Sequence, residues 1–325
     1  MSLEFIIAQS LIFIMPLLIV ALAGLYSEKS GTVNIGLEGM MVMGAFAGVL
    51  FINRMQGAGR FANTPQLLLI FGLLVAAAVG LLLSILLAFL AIKMKADQTI
   101  GGTAINLLAV ALVIFLSKAL VGDTRVPFTP VFEFKSSFLS GIPFLNYILF
   151  DKAYLTTYIV FAILLLTVFI FRSTKFGLRL SACGEHPQAA QSAGINVIRY
   201  RWIGVLISGF LAGMGGLIYV IPSSASFDGT VSGYGFLALG VLIFGQWKPV
   251  KILWAAIFFG FFKTLSVIFF GISFIASLTN MFPNFPFAMI FRMLPFLATM
   301  VVLAITSKKS RAPKAAGIPF DPLST

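Results

Sequence analysis

Two charged residues sit inside membrane-length apolar runs, and they are the first candidates for chemistry. Glu38 lies in "IGLEGMMVMGAFAGVLFIN" (35–53) and Lys263 in "FFGFFKTLSVIFF" (258–270). A lysine at the centre of a span costs about 2.5–3.5 kcal/mol on insertion scales. Such residues face a protein interior or a water-filled cavity. Asn34, Asn106 and Ser208 are uncharged polar groups in or beside other apolar runs. These five are the candidates for lining a pathway through the membrane. A structural reading competes for each: Lys263 pairs with a carboxylate or snorkels to an interface, and Glu38 is a hydrogen-bonding group at the start of its span. "FFGFF" (258–262) reads as lipid-facing or packed between helices. Other chemistries find little support. His186 is the sole histidine and Cys183 the sole cysteine, so the chain has no internal disulfide and no Cys/His cluster of metal-ligand spacing. No Ser/His, His/Asp or metal cluster supports an intramembrane enzyme. No G-x-x-x-x-G-K-[ST] loop marks the chain as an ATPase.

The elements that carry these residues follow from composition. The 325 residues are 60% hydrophobic and 10% charged, with a mean hydropathy of +1.06, whereas soluble chains carry about 25% charged residues. The expected fold is all-α, a polytopic helical membrane protein with about nine spans, eight to ten at the limits. The candidates are 5–25, 35–53, 67–92, 99–120, 154–171, 202–221, 233–246, 252–272 and 287–306, which together make a single transmembrane domain over 1–325. The first run begins with Glu4 rather than a basic segment and reads as a retained span, not a signal peptide. The net charge of +12 does not imply nucleic acid, because the basic residues sit mostly in loops. With 172–201 placed inside, fourteen basic residues fall inside and six (Arg54, Arg60, Lys118, Arg125, Lys135, Lys152) outside. The amino terminus is then outside, and the carboxyl terminus, with its tail 307–325, inside. A tenth span or a re-entrant pair would flip the amino terminus. The outward stretch 121–153 is either a surface loop or includes a partly inserted helix.

Two apolar segments are unlike lipid-facing anchors. The 35–53 segment contains Gly36, Gly39, Gly44 and Gly48, and "GYGFLALGVLIFG" (233–245) contains Gly233, Gly235, Gly240 and Gly245. The second is about 20 Å long as a helix, short of the roughly 30 Å hydrocarbon core. Short, glycine-interrupted segments in both halves of a chain point to a transport pathway. The same glycines suit close helix packing, with Gly-xxx-Gly spacing at Gly44/Gly48 and Gly209/Gly213.

The longest mid-chain polar interruption, "FRSTKFGLRLSACGEHPQAAQSAGINVIRYRW" (171–202), sits between two apolar runs. Pro187 suits a first helical turn, Glu185 before it complements the dipole, and Gly194 suits a left-handed stop. The expected helix of about two turns has a small-residue centre of Ala189, Ala190, Ser192 and Ala193. It is either a docking element for a groove on a soluble partner or a surface helix with no partner.

"SEKSGTVNIGLEGMMVMGAFAG" (27–48), "GLRLSACGEHPQAAQSAGIN" (177–196), "SGFLAGMGGLIY" (208–219) and "GYGFLALGVLIFGQWKP" (233–249) resemble permease subunits of ATP-binding-cassette importers. The branch is the one for ribose, simple sugars and nucleosides, and more distantly branched-chain amino acids. "NIGLEGMM" and the tail "APKAAGIPFDP" (312–322) look most like nucleoside-importer permeases. The resemblance runs from about residue 10 to 322, and its first two blocks are the most specific. It implies a non-enzymatic transport subunit in a bacterial cytoplasmic (inner) membrane. No cofactor is expected in this chain; ATP and magnesium belong to a partner ATPase. It further implies a second, non-identical permease and an external substrate-binding (lipo)protein. The cytoplasmic loop 172–201 becomes a coupling loop, with Gly184, Glu185, Pro187, Ala189, Ala190, Ala193 and Gly194 docking on the ATPase. His186 departs from the family's pattern, which more often has Asn there. An arginine at position 190 is expected to abolish uptake without disturbing insertion. The rivals are an ion-coupled secondary transporter, which would want paired intramembrane carboxylates, and a multimeric channel, for which no segment reads as a selectivity filter.

Overall fold

The structure, a computed structural model, describes residues 3–134, 153–268 and 312–321, with Met293, Leu297 and Met300 as isolated helical positions. Its elements are α1 (Leu3–Lys29), α2 (Leu37–Gly57), α3 (Pro65–Ala88), α4 (Gln98–Val121), α5 (Leu155–Ser173), α6 (Lys175–Glu185), α7 (Pro187–Ser192), α8 (Val197–Ser223), α9 (Tyr234–Phe244) and α10 (Pro249–Ile268). A π-helical turn, Phe89–Lys93, extends α3. Among the described residues seven helices are long and apolar enough to cross a membrane, and α9 is a shorter apolar helix. The all-α polytopic fold expected from composition is therefore present, and eight of the expected segments appear as helices. The ninth, 287–306, lies outside the described residues.

Helix ends are set by local chemistry. Asp97 caps α4 by accepting from the backbone N–H groups of Thr99 and Ile100, which also holds its carboxyl below the usual range. Gly122, at φ +84°, closes α4 in the left-handed region. Asn196 accepts from Arg199 N–H at the start of α8. Outside the bundle, two-residue strands pair antiparallel: β1 (Val126–Pro127) with β4 (Ser226–Phe227), and β2 (Glu133–Phe134) with β3 (Ala153–Tyr154). Residues 122–134 and 153 are thus extended or turn structure, and the middle of that outward stretch is outside the described residues.

α8 is the hub, packed against α1, α2 and α3. Small residues make this possible. A Cβ on Gly44 of α2 would strike the backbone of Gly213, one on Gly80 of α3 would strike Gly209 and Gly213, and one on Gly213 would strike the carbonyl of Ala76. Three backbones therefore meet with no side chain between them, the packing mode favoured where lipid removes any hydrophobic drive between helices. The apolar faces of α3, α4 and α5 that point away carry exposed Leu82, Leu107, Phe115, Leu165 and Phe169. The phenylalanine cluster of α10 is split, with Phe259 fully buried and Phe258 and Phe261 partly exposed.

Of the non-helical connections, 30–36 is mostly buried, whereas 224–233 alternates between buried and exposed residues. The 30–36 segment climbs beside α8: Arg201 lies against Gly31, Gly204 against Ser30, and Asn34 bonds Ser208. By helix rise Ser208 is about 17 Å beyond the first residue of α8, so α2 begins well within the bundle. The 224–233 segment leads from the end of α8 to α9. With 11 residues, α9 is about 16 Å long. It starts beside Tyr219 and ends where Trp247 meets Glu28 in the last turn of α1. α10 returns alongside, with Ile252 against Gly245 and Lys263 beside Tyr234.

A Gly213→Val substitution would drive a branched side chain into the α3 backbone at Ala76 and Gly80. Overpacking of this kind costs about 1–3 kcal/mol. The expected outcome is a lower thermal midpoint and a smaller monodisperse fraction in detergent; wild-type values for both would show that the three helices do not meet as described.

Candidate functional site

The polar groups buried in the bundle form a seam where the two irregular segments meet the helix starts. The first four N–H groups of any helix lack an internal partner, and in a membrane bundle water does not supply one. Here side chains do. Asn106 of α4 accepts from Gly39 N–H at 2.7 Å and donates to the Ile35 carbonyl at 3.0 Å, closing the start of α2. Glu38 accepts from Gly233 N–H at 2.9 Å and from Gly235 N–H at 2.6 Å, closing the start of α9. A carboxylate at that end also complements the helix dipole. Asn34, fully buried, donates to Ser208 Oγ at 2.9 Å, and its own carbonyl oxygen has no partner among the described residues. Lys263 Nζ lies 5.7 Å from the ring centroid of Tyr234, within cation–π range.

All five pathway candidates are therefore in this seam, but they do not form one cluster. Glu38 and Lys263 converge on the first turn of α9. Asn34 and Ser208 bind each other, and Asn106 ties α4 to α2. The glycines of 35–53 serve packing: Gly39 lies against Asn106, Gly44 against Gly213, and Gly48 against Gly72 and Leu217. Sequence reasoning missed Glu28, 7% exposed, which accepts from Trp247 Nε1 at 2.6 Å. This bond sits at a corner where Gln246 and Trp247 both take positive φ, a conformation that costs of order 1–3 kcal/mol per residue unless its surroundings hold it. The acid's place at the very end of an apolar run was the signal available.

The second candidate region is the opposite end of α8. The 171–202 stretch contains two helices, not one. Thr174 accepts from Gly177 N–H to start α6, which ends at Glu185. Glu185 thus belongs to the preceding helix rather than leading into the docking helix, and His186 stands at the start of α7 with no side-chain cap. α7 has six residues, shorter than expected, because Ala193 and Gly194 already turn; Gly194 sits at φ +80° as expected. Among the coupling candidates, Ala189, Ala193 and Gly194 are exposed, together with Gln188, Gln191 and Ser192. Pro187 and Ala190 face inward, Ala190 being 4% exposed. Gly184 is packed on the Lys29 carbonyl, and Glu185 is half-buried. An arginine at position 190 would therefore strike the chain's own interior before any partner, so Ala193 is the informative position.

The tail supplies what α7 packs on. Ala190 shares a small buried cluster with Cys183, Val197 and Phe320. Ala315 N–H donates to the Gly184 carbonyl at 2.8 Å, Gly317 N–H to the Gly31 carbonyl at 3.3 Å, and Arg201 Nη1 to the Ile318 carbonyl at 2.8 Å. Arg201, 1% exposed, also lies over the Phe320 ring. Lys95 and Asp321 pair at 2.9 Å near the surface, where such a bridge contributes little. The tail is thus a strap across the ends of α1, α6 and α8. Burial pushes the Cys183 thiol up to about 11, with Arg201 opposing the rise.

This bundle of apolar helices with short and interrupted elements defines a polytopic membrane permease. The chain belongs to the family described as branched-chain amino acid transport system, permease component, which matches residues 6–306. It is 41% identical to the guanosine ABC transporter permease protein NupQ of Bacillus subtilis over 322 residues, 98% of this chain and 97% of that one. It is 37% identical to the nucleoside ABC transporter permease protein NupC of Lactococcus lactis, again over 98% and 97% of the two chains. It is 28% identical to the nucleoside ABC transporter permease protein NupB of the same Lactococcus over 270 residues, 77% of this chain and 69% of that one. No solved structure gives a significant match.

Two outcomes are expected of these contacts. Glu38→Ala orphans two N–H groups at the start of α9, at about 1–3 kcal/mol for each buried donor left unsatisfied. It should lower the thermal midpoint in detergent and speed hydrogen exchange at Gly233 and Gly235, whereas Glu38→Gln, which keeps an acceptor, should do so less. Cys183, the sole cysteine, is buried, and at pH 8 its thiol stays neutral and poorly nucleophilic. It should resist a membrane-permeant maleimide in the intact protein and react readily when residues 312–325 are deleted; equal labelling of both forms would refute the strap.

Proposed function

We propose that this chain is the membrane-spanning permease subunit of an ATP-driven nucleoside importer, forming the translocation pathway and taking its energy from a separate ATPase. The observation that carries this reading is identity of 41% and 37% over nearly the whole chain to permeases named for guanosine and for nucleosides. The site supports it. The interrupted elements and capped helix starts around Glu38 are the features that let backbone leave the helix at depth and line a cavity. Nucleosides are neutral at pH 7, and the seam offers amides, hydroxyls and aromatic rings.

The assembly comprises this chain, a second and non-identical permease, cytoplasmic ATPase subunits that bind ATP and magnesium, and an external binding protein. Two relatives from one Lactococcus, 37% and 28% identical to this chain, favour the non-identical pair, since this chain resembles one of them far more than the other. The face carrying α7 and the tail is cytoplasmic by the charge bias, which puts the amino terminus outside. The permease itself performs no bond chemistry.

Coupling runs through α7. Its outward face of Ala189, Ser192, Ala193 and Gly194 is small enough for another backbone to approach, and its inward face is bound to Cys183, Val197 and Phe320. A displacement of α7 by the ATPase is passed to the ends of α1 and α8 through Gly184, Arg201 and the tail. Coupling requires contacts that differ between conformations, and this docked face is where they arise. An ion-coupled secondary transporter is the alternative, and ATP dependence separates the two.

The test is uptake of radiolabelled guanosine into proteoliposomes holding this chain with its copurified partners and binding protein. The expected result is uptake that requires internal or external ATP on the ATPase side and is insensitive to a proton ionophore. Ala193→Arg should lower ATP-driven uptake at least tenfold, the effect of losing about 1.4 kcal/mol of coupling contact, while membrane insertion and thermal midpoint stay at wild-type values. Gradient-driven uptake without ATP would overturn the importer, and normal uptake by Ala193→Arg would overturn the coupling face.

A further inference from the structure

The 224–233 segment and the last turns of α8 enclose a cavity of about 310 Å³, at the lower end of the range for small-molecule clefts, roughly 300–1,000 Å³. It lies at the end of the molecule opposite the coupling loop, beside the β1–β4 pair. Tyr219, Ser223, Asp228, Thr230 and Ser232 line it, with Arg125 at its edge. The Tyr219 ring is half-buried and rests on the Tyr234 ring with centroids 4.3 Å apart. Its hydroxyl donates to Ser232 Oγ at 3.0 Å. Ser232 is followed directly by Gly233, whose N–H is held by Glu38. The cavity therefore ends on the capped start of α9, where the seam begins, and it leads from the surface toward the interior.

Its chemistry is specific. One flat aromatic face, several hydroxyls and one exposed carboxylate, Asp228, are gathered on irregular backbone, and the positive Arg125 offsets the negative Asp228. The formal charge of the lining is zero, which suits a neutral ligand. A carboxylate accepts two hydrogen bonds side by side, which matches the vicinal hydroxyls of a ribose. Every nucleobase presents a π-face for an aromatic side chain to stack on, irrespective of base identity.

We infer that this cavity is the entry subsite of the permease for a nucleoside, with the Tyr219 ring stacking on the base and Asp228 accepting from the ribose hydroxyls. The inference rests on the nucleoside-importer reading and adds to it the place where the permease itself recognises the substrate. Tyr219 discriminates flat ligands from plain sugars, and Asp228 discriminates ribose from deoxyribose.

The test uses the complete importer in proteoliposomes with saturating binding protein, and measures ATP-driven uptake of guanosine and 2′-deoxyguanosine. Asp228→Asn is expected to raise the KM for guanosine about tenfold, as for loss of a charge-assisted hydrogen bond, and to abolish the preference for guanosine over 2′-deoxyguanosine. Tyr219→Ala is expected to raise the KM for both substrates alike, and Tyr219→Phe, which keeps the ring, to restore it. Asp228 is exposed, so Asp228→Asn tests the subsite even if Tyr219→Ala fails to fold. If the wild-type complex imports nucleosides but Asp228→Asn keeps both the wild-type KM and the substrate preference, the subsite is wrong and the importer reading stands. If the wild-type complex imports no nucleoside, the importer reading fails and the subsite falls with it.

Discussion

The Glu38 carboxylate on the backbone N–H groups of Gly233 and Gly235 is the contact on which the rest of this bundle depends. A helix that starts inside a membrane protein exposes polar groups that water would otherwise satisfy. Without an acceptor there, the Gly233 and Gly235 N–H groups would be left unpaired at the start of α9. With it, the chain can enter as irregular backbone and become helical at depth. Asn106 does the same for α2, through Gly39 and Ile35. Two helices that begin inside the bundle are what create a polar seam between halves of an otherwise apolar protein.

The seam is held by a scaffold of a different kind. α2, α3 and α8 touch backbone to backbone through Gly44, Gly80 and Gly213, where van der Waals contact replaces the hydrophobic drive that lipid removes. Such contacts tolerate sliding poorly, because interiors are close-packed and have few intermediate arrangements. The glycine packing and the capped helix starts therefore act together: the first fixes where α2 and α8 cross, and the second fixes where α2 and α9 begin. Glu28 on Trp247 closes the far end of α9 in the same manner, holding a corner of two left-handed residues.

At the other end of α8 the tail does what no helix does. Its backbone N–H groups meet the carbonyls of Gly184 and Gly31, and one of its carbonyls accepts from the buried Arg201. The α6–α7 pair is thereby bound to α1 and α8 rather than hanging from a loop. A six-residue helix is not stable in water by itself; Ala190, Cys183, Val197 and Phe320 give α7 the apolar contact it needs. These contacts join α7 to the ends of α1 and α8.

Much of this was legible in the residues. Apolar runs of membrane length set the helices, since a single run satisfies its own backbone in lipid only as a helix, and Pro187 and Gly194 marked the short helix because one fixes φ and the other permits a left-handed stop. Glu38, Asn106 and Lys263 stood out because polar groups in apolar runs are costly. Their partners were not legible, since Gly233 lies 195 residues from Glu38 and no local pattern encodes a contact at that separation. The same holds for Phe320 on Cys183 and for Arg201 on Ile318, which turned an apparently free tail into a strap and turned Ala190 inward. Nor did the sequence show that Tyr219, Asp228 and Ser232 share one cavity. The sequence by itself determined which long apolar segments are helical and that the protein lives in a membrane, because those follow from local hydrogen bonding and transfer energy. The tertiary structure decided which polar groups hold the bundle and which line a cavity, because that depends on what each meets from a distant part of the chain.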